Sequence, residues 1–207
     1  MKWVLSSLFF LTTNLTGFAA TPVVLCLGDS LTEGFEISPD AAFPALLDKR
    51  LKEKFGPEAE SINAGTSGAT SASGPSRLKF QLKSPKKLTH VILALGANDG
   101  LRGLPVASMK KNLEEAIKIA KENQIKVLLA GMKIPPNYGL AYAKSFEEAF
   151  KKIGREQKVS TIPFLLEGVA ANPKLNLPDG IHPNPQGHQI IAETVWKNLE
   201  PLLGAKL

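Results

Sequence analysis

The stretch Val23-Val-Leu-Cys-Leu27, followed at once by Gly28-Asp-Ser-Leu31, decides the fold class of this chain. A short apolar run rich in branched residues is typical of a strand that is buried on both faces of a sheet. Four similar runs follow it, at residues 61–63, 91–95, 126–130 and 159–162. Helical patterns lie between and after these runs, at residues 43–55, 106–122, 141–155 and 185–202, with a short helix near 77–82. This alternation predicts an α/β fold with three layers, α/β/α, around a mostly parallel five-stranded sheet.

Polar segments follow three of the predicted strands at the point where each strand ends. Gly28-Asp-Ser30 comes after the first run, residues 65–68 come after the second, and residues 96–99 come after the third. Asp179 and His182 directly precede the last predicted helix. Because ligands of such sheets bind beyond the carboxyl ends of the strands, we expect these four segments to meet at one edge.

Ser30, His182 and Asp179 together have the chemistry of a nucleophilic triad. A serine hydroxyl becomes a useful nucleophile at neutral pH when an imidazole takes its proton and a carboxylate holds that imidazole in the right tautomer. The spacing of three residues between Asp179 and His182 lets a single turn present both side chains. The Gly-x-Ser-x-Gly elbow of the α/β-hydrolases is absent, because position 32 is a threonine.

With these motifs the chain resembles the GDSL, or SGNH, hydrolases, whose name refers to a serine, a glycine, an asparagine and a histidine from four blocks. Ser30, Gly68, Asn98 and His182 match the blocks in order, and the likeness runs from about residue 23 to the end of the last helix. Residues 98–104 and 134–139 are similar to the branch of secreted arylesterases and acyl-CoA thioesterases with lysophospholipase activity. The resemblance implies a flavodoxin-like sheet and Ser30 as the nucleophile.

The resemblance also implies how the reaction's oxyanion is held. Its donors are the backbone amides of Ser30 and Gly68 and the side-chain amide of Asn98. Gly65 is a neighbouring candidate for the second of these positions. The chain departs from the branch at Ala69, where Asp is usual, and this change is expected to loosen the loop that aims the Gly68 amide.

Each proposed site residue has a structural explanation as well. Ser30 or Asp29 can cap the helix that follows. Asn98 and Asp179 can belong to ordinary turns, and His182 can be a surface residue before Pro183. Individually these explanations are sound, but together they require four turns to match the order of one family by accident. We therefore assign Ser30 as nucleophile, His182 as general base and then acid, and Asp179 as the group that orients the imidazole.

Four apolar or aromatic side chains are candidates for contact with the substrate. Leu101 and Leu104 lie in a segment with two glycines that could act as the hinges of a mobile lid over an acyl chain. A rigid loop whose leucines fill the core is the alternative. Ile134 and Tyr138 could line the acyl groove, or the prolines between them could merely shape a turn.

Composition and charge exclude several other classes of protein. The chain has 207 residues, of which 43% are hydrophobic and 21% are charged, and this predicts one globular domain over residues 21–207. The net charge of +6 is spread over amphipathic segments, so we expect no nucleic-acid partner. The single cysteine, Cys26, excludes a disulfide within the chain and is expected in a buried strand. His90 and His188 lack the triad context and are interpreted as structural or solvent-facing.

Residues 1–20 are interpreted as a secretory signal peptide. Lys2 precedes a short apolar stretch, and small residues near position 20 predict cleavage after Ala19 or Ala20. Threonines and an asparagine interrupt the stretch, which favours a signal peptide over the alternative of a membrane anchor. Removal of Lys2 lowers the net charge from +6 to +5. We therefore expect a periplasmic or secreted monomer without a stable membrane anchor.

These observations predict a serine hydrolase that cleaves carboxylic esters and thioesters through an acyl-enzyme. Small acyl esters or thioesters, lysophospholipids among them, are the expected substrates, and no metal or organic cofactor is implied. Two alternatives stay open. One is a carbohydrate O-deacetylase with the same blocks, which would need a polar and open cleft. The other is a non-catalytic envelope binding protein that kept the fold and lost the reaction.

Overall fold

The apolar run at residue 23 forms β1, a central strand of a five-stranded sheet in the computed structural model, which describes residues 21–204. The predicted signal peptide of residues 1–20 lies outside the described residues. All neighbouring strands are parallel, in the order β2-β1-β3-β4-β5. The strands are β1 Val23–Gly28, β2 Glu60–Ala64, β3 His90–Ala94, β4 Lys126–Ala130 and β5 Ser160–Ile162. The predicted fold class is thus confirmed, with a sheet that is parallel throughout.

Helices cover both faces of the sheet. The helices are α1 Ser30–Glu33, α2 Phe43–Phe55, α3 Gly74–Gln81, α4 Ala97–Leu101, α5 Val106–Glu122, α6 Leu140–Glu156 and α7 Pro185–Leu203. Helix α2 packs against α7, while α5 packs against both α3 and α6. Right-handed crossovers in this strand order place α2 and α7 on one face and α3, α5 and α6 on the other. The three layers follow from this arrangement.

The sheet core is built from the apolar runs that the sequence analysis singled out. All five residues of β3 are buried, and in β1 only Val23 is partly exposed. Cys26 is one of the buried β1 residues, and burial raises the pKa of its thiol to about 12. A thiol in this state is protonated at neutral pH and serves as a small apolar side chain. The expectation of a buried, unreactive Cys26 agrees with this placement.

Strand register brings the functional segments to one edge of the sheet. Gly28, the last residue of β1, pairs with Ala94, the last residue of β3, and Leu27 pairs with Ala64 at the end of β2. The loops after these strands therefore leave from the same edge. At that edge α7 also begins, with the Asn184 side chain accepting a hydrogen bond from Gly187 N at 3.0 Å.

The observed helices differ from the predicted ones mainly at the short helices α1, α3 and α4. Helix α3 begins at Gly74, three residues before the predicted start, because Pro75 in its first turn fits the start of a helix and the apolar pattern becomes visible only later. Helices α1 and α4 have four and five residues and were not predicted as elements. No helix within residues 21–204 is both long enough and apolar enough to cross a membrane.

Candidate active site

Ser30 lies at the sharp turn where β1 becomes α1. The Asp29 side chain caps this helix, because its Oδ1 accepts a hydrogen bond from Leu31 N at 3.1 Å. Gly28 is required by the close packing of the turn, since a Cβ atom there would lie 1.9 Å from Thr32 Oγ1. Of the two capping explanations, the one for Asp29 therefore applies, and the Ser30 hydroxyl is left for another partner.

That partner is His182, which connects the beginning of the chain with its end. His182 Nε2 lies 2.9 Å from Ser30 Oγ, and His182 Nδ1 lies 2.6 Å from Asp179 Oδ2. With an ionised Asp179 as acceptor, the proton sits on Nδ1, and Nε2 is free to accept the hydrogen bond from the serine. The sequence predicted these three residues as a group, and the structure brings them into one continuous hydrogen-bonded chain.

The geometry around Asp179 keeps this carboxyl ionised. Partial desolvation raises its pKa, but hydrogen bonds from the His182 ring and from the backbone N–H groups of His182 and Ile181 outweigh that effect and lower the pKa to about 2. The backbone bonds to Asp179 Oδ1 measure 3.0 Å and 2.8 Å. They hold Oδ1, while Oδ2 bonds the imidazole Nδ1, so the turn itself orients the acid.

Asp29 is the second unusual carboxyl of the site. It is 1% exposed, and its Oδ2 has no hydrogen-bond partner within residues 21–204. Burial raises the pKa of Asp29 to about 6, against the opposing effects of the Leu31 N–H bond and the charges of His182 and Arg77. Arg77 donates to the backbone oxygens of Gly28, at 2.9 Å, and Ala64, and thus ties the ends of β1 and β2 together below the nucleophile.

Backbone N–H groups near the nucleophile that have no partner among the described residues are candidate donors to an oxyanion. Among them are the N–H groups of Ser30 and Gly68, whereas Thr66 N and Ala69 N both donate within the loop region. Gly68 has a φ of +76°, a conformation that glycine adopts without strain. Gly65 has a different role, because a Cβ atom there would lie 2.1 Å from Glu33 N, so it permits close contact with α1.

Helix α4 holds the loop that carries Gly68. The Asn98 side chain donates to Ala69 O at 3.0 Å, and the Arg102 guanidinium donates to Gly68 O at 3.0 Å. The buried Asp99 carboxylate accepts hydrogen bonds from Ser71 N at 2.7 Å and Ser71 Oγ at 2.5 Å. Ala69 was expected to loosen this loop. Side chains of residues 98–102 instead hold it by hydrogen bonds.

The four residues predicted to contact substrate fall into two environments. Ile134 is buried in the core and packs close to Gly100, beneath the loop that follows α4. Leu101 is partly exposed, while Leu104 and Tyr138 are exposed. The loop is fastened on the far side as well, because Tyr142 Oη donates to Leu104 O at 2.7 Å. Leu101 and Leu104 therefore do not fill the core, whereas Ile134, from the segment after β4, does.

Two contacts of the site were not foreseen from the sequence. The Phe35 ring packs against the His182 ring with centroids 4.4 Å apart, and Arg102 reaches across to Gly68. An aromatic residue five positions after the nucleophile has no periodic or motif signal. Arg102 lies next to Leu101 in a segment whose leucines and glycines predict a lid, and an arginine there carries no motif signal.

The other two histidines are structural. His188 is buried, and its Nδ1 accepts a hydrogen bond from Phe43 N at 3.2 Å. Burial, with a smaller effect from the charge of His182, lowers the pKa of His188 to about 4. His90 is also buried, between Thr89 Oγ1 and Leu202 O, and burial lowers its pKa.

Comparison with known proteins identifies the family. Residues 26–190 match the GDSL-like Lipase/Acylhydrolase family. The chain is 38% identical over 189 residues to esterase TesA of Pseudomonas aeruginosa, covering 91% of this chain and 93% of that protein. It is 35% identical over 202 residues to thioesterase 1/protease 1/lysophospholipase L1 of Escherichia coli K12, covering 98% and 94%.

A solved structure gives the same result for the fold. The psychrotrophic esterase EstA from Pseudoalteromonas sp., in a form inhibited by monoethylphosphonate, superposes with a TM-score of 0.81 at 31% identity. The match covers 87% of this chain and 98% of that one. The chain therefore belongs to the GDSL-like lipase/acylhydrolase family, a family of ester hydrolases.

Proposed function

We propose that this protein cleaves carboxylic esters and thioesters through an acyl-enzyme on Ser30. The observation that carries the proposal is the hydrogen-bonded chain from Asp179 through His182 to Ser30, with distances of 2.6 Å and 2.9 Å. This is the arrangement in which an imidazole can accept a serine proton while a carboxylate stabilises the imidazolium that forms.

The proposed reaction has two halves. Ser30 Oγ attacks the substrate carbonyl while its proton passes to His182 Nε2, and His182 then returns that proton to the departing alcohol or thiol. Water activated by His182 releases the acid from the acyl-enzyme. Activity is expected to fall in acid, because a protonated His182 cannot accept the serine proton. Asp179 holds the ring throughout.

The negative oxygen of each tetrahedral intermediate needs donors that are already in place. We assign this role to the unpaired N–H groups of Ser30 and Gly68 and to the second N–H of the Asn98 side-chain amide. Each such donor contributes on the order of a hundredfold to a thousandfold in rate. None of these steps uses a metal or an organic cofactor.

Acyl substrates are favoured by the apolar residues beside the site. Leu101, Leu104 and Tyr138 are at least partly exposed near the edge that carries Ser30, so they are available to contact an acyl chain. Relatives named esterase and thioesterase/lysophospholipase support both ester and thioester cleavage, and they make lysophospholipids reasonable substrates. No observation favours a carbohydrate O-deacetylase, which would need polar residues at these positions.

The decisive experiment compares wild type with Ser30→Ala on a panel of aryl esters, acyl-CoAs, lysophospholipids and acetylated sugars. We expect Ser30→Ala to lower kcat/KM by about 10⁴-fold or more while the thermal unfolding temperature is preserved. A fluorophosphonate should label wild type at Ser30 and leave the variant unlabelled. A non-catalytic binding protein would turn over none of the panel and would resist labelling.

We further propose that the protein is exported and acts as a monomer in the periplasm or outside the cell. The amino-terminal pattern of residues 1–20 supports export. Mass spectrometry of the protein from a cell envelope or culture fraction should give a mature chain that begins at Ala20 or Thr21. Sedimentation should give a mass near that of one chain, and an unprocessed cytoplasmic protein would contradict the proposal.

A further inference from the structure

Helix α4 and its C-cap residue fix the loop that carries Gly68 at three points. Asn98, Asp99 and Arg102 hold Ala69 O, Ser71 and Gly68 O respectively. On the opposite flank, the Glu33 carboxylate accepts a hydrogen bond from Ser67 N at 2.6 Å. Among residues 66–69 only the Gly68 N–H has no acceptor within the described part of the chain. The surroundings thus fix every neighbour of this N–H and leave the N–H itself available.

Gly68 cannot fix its own orientation. It has no side chain and it is exposed. Apart from its two chain neighbours, the only atom of residues 21–204 within 4 Å of a Cβ atom built there is Arg102 Nη2, at 3.5 Å. Ala69, the next residue, has no polar side-chain atom that could hold the peptide. The peptide unit between Gly68 and Ala69 is held on its N–H side within the loop, by the bond from Ala69 N to Thr66 O at 3.1 Å, and on its carbonyl side from outside the loop, by the guanidinium of Arg102.

We propose that Arg102 is a positioning residue of the oxyanion hole. By holding the Gly68 carbonyl it anchors the peptide unit that follows Gly68, and this restricts the backbone torsions of Gly68 on which the direction of its N–H depends. This inference rests on the proposed function of Ser30. Arg102 is the C-cap residue of α4 and lies in sequence between Leu101 and Leu104, the two leucines proposed to contact an acyl chain. Arg102 therefore links the loop that follows α4 to Gly68, whose N–H is the proposed oxyanion donor.

A charged donor suits this task. The bond from a guanidinium to a carbonyl is stronger than one between neutral groups, and a planar guanidinium restricts the angle of approach. Arg102 is exposed, so its removal leaves no cavity and no unpaired buried charge. Its loss should therefore affect the rate and not the fold, unlike the loss of the buried Asp99.

The test uses Arg102→Met, which keeps most of the length and removes the donor, and Arg102→Lys, which keeps a cationic donor. Arg155→Met is the matched control, because Arg155 is an exposed arginine near the end of α6, at the sheet edge remote from Ser30. The assay measures kcat and KM on aryl acetate and aryl hexanoate, the rate of fluorophosphonate labelling, and the unfolding temperature.

We expect Arg102→Met to lower kcat by about tenfold on both esters and to slow labelling by a similar factor, because phosphonylation also places a negative oxygen in the hole. KM and the unfolding temperature should stay near wild type, Arg102→Lys should recover part of the loss, and Arg155→Met should behave as wild type. An unchanged kcat, or a rise in KM alone, would overturn the proposal, since Arg102 would then be a surface residue or a substrate contact. If wild type hydrolyses no ester, the proposed function fails first.

Discussion

The serine side and the glycine side of the site are held in place by different means. Ser30 is buried at the end of a central strand, and the Asp29 cap fixes the turn that carries it. Gly68 lies on an exposed loop after the edge strand β2, where side chains such as Arg102 hold it. Core packing and a buried cap thus fix the first side, and polar contacts, several of them exposed, fix the second.

The two sides also differ in their part in the reaction. The serine side carries the groups that transfer the proton, and the glycine side carries a donor that stabilises the oxyanion. A proton can pass between Ser30 and His182 only at hydrogen-bond distance, so a change there removes an entire step. A donor to the oxyanion contributes in proportion to how well it is aimed. The comparison therefore predicts that substitutions on the serine side abolish activity and that substitutions on the glycine side lower it by degrees.

After the loss expected for Ser30→Ala, the largest effect in this comparison is expected for Asp179→Asn. The asparagine Oδ1 can still accept the N–H groups of Ile181 and His182, so the turn is preserved. Its Nδ2 would donate to His182 Nδ1 and would force the proton onto Nε2, where it faces the serine. By analogy with other triads, we expect kcat to fall by about 10³–10⁴-fold.

Asp40→Asn provides the control, because Asp40 is exposed and its side chain bonds only the nearby Ser38 hydroxyl among the described residues. Steady-state kinetics at neutral pH and above would measure both variants. A loss smaller than tenfold for Asp179→Asn would mean that the carboxylate does not set the tautomer. In that case the serine side would depend on His182 alone, and the contrast between the two sides would weaken.

A smaller effect is expected for Gly68→Ala. A Cβ atom fits sterically, but the positive φ costs an L-residue about 1 kcal/mol, and the exposed peptide can relieve this strain by rotating away from its position. Rotation would move the N–H from the reacting oxygen. We expect kcat to fall by roughly tenfold to a hundredfold, less than the complete loss of one oxyanion donor would cost, because the N–H is misaligned and not removed.

Gly168→Ala is a close control for this variant. Gly168 also has a φ of +76°, is exposed, and has only Ile190 Cγ2 near a built Cβ atom, at 3.9 Å. Denaturant unfolding should give a similar loss of stability for the two variants, and enzyme assays should give a loss of rate for Gly68→Ala alone. Equal rates in both variants would remove Gly68 from the oxyanion hole.

The same division between core and surface explains what the sequence could predict. Helices α2 and α5 have the predicted bounds, and strands β1 and β3 lie within one residue of their predicted bounds. Long amphipathic patterns and buried apolar runs determine the local structure of these segments. Helices α1 and α4 are too short for a periodic pattern and depend on the Asp29 cap and on a turn at Gly96 with a φ of +118°.

For the site, residues that carry reactive groups could be found and residues that hold them could not. Ser30, Asp179 and His182 belong to short motifs, and the parallel strands explain why those motifs meet. The bond from Arg102 to Gly68 depends on side-chain reach between two loops, and the contact of Phe35 with His182 joins residues far apart in the chain. Neither contact leaves a local trace in composition or spacing.

The smallest expected effect is on the stability of the fold that carries the serine side. His188 of α7 accepts the Phe43 N–H at the start of α2 and so joins these two helices. The folded protein holds the pKa of His188 at about 4, whereas an unfolded histidine titrates near 6.5. As the pH falls from about 6.5 to 4, the unfolded chain takes up this proton first. The stability that the neutral ring provides is fully present above this window and is lost within it, by on the order of 2 kcal/mol.

His188→Asn should flatten this part of the stability curve, since Oδ1 of asparagine can accept the Phe43 N–H without titrating. The comparison with wild type is necessary because Asp29, whose pKa is raised to about 6, acts with the opposite sign: burial favours its neutral form, so its contribution to stability grows as the pH falls. Denaturant unfolding of both proteins at pH 7 and pH 4.5 isolates His188, because Asp29 is common to both. If the free energy of unfolding changed equally with pH in both proteins, the His188 ring would not be held neutral in the folded state. The buried polar contact between His188 and Phe43 would then contribute less to the serine side than we propose.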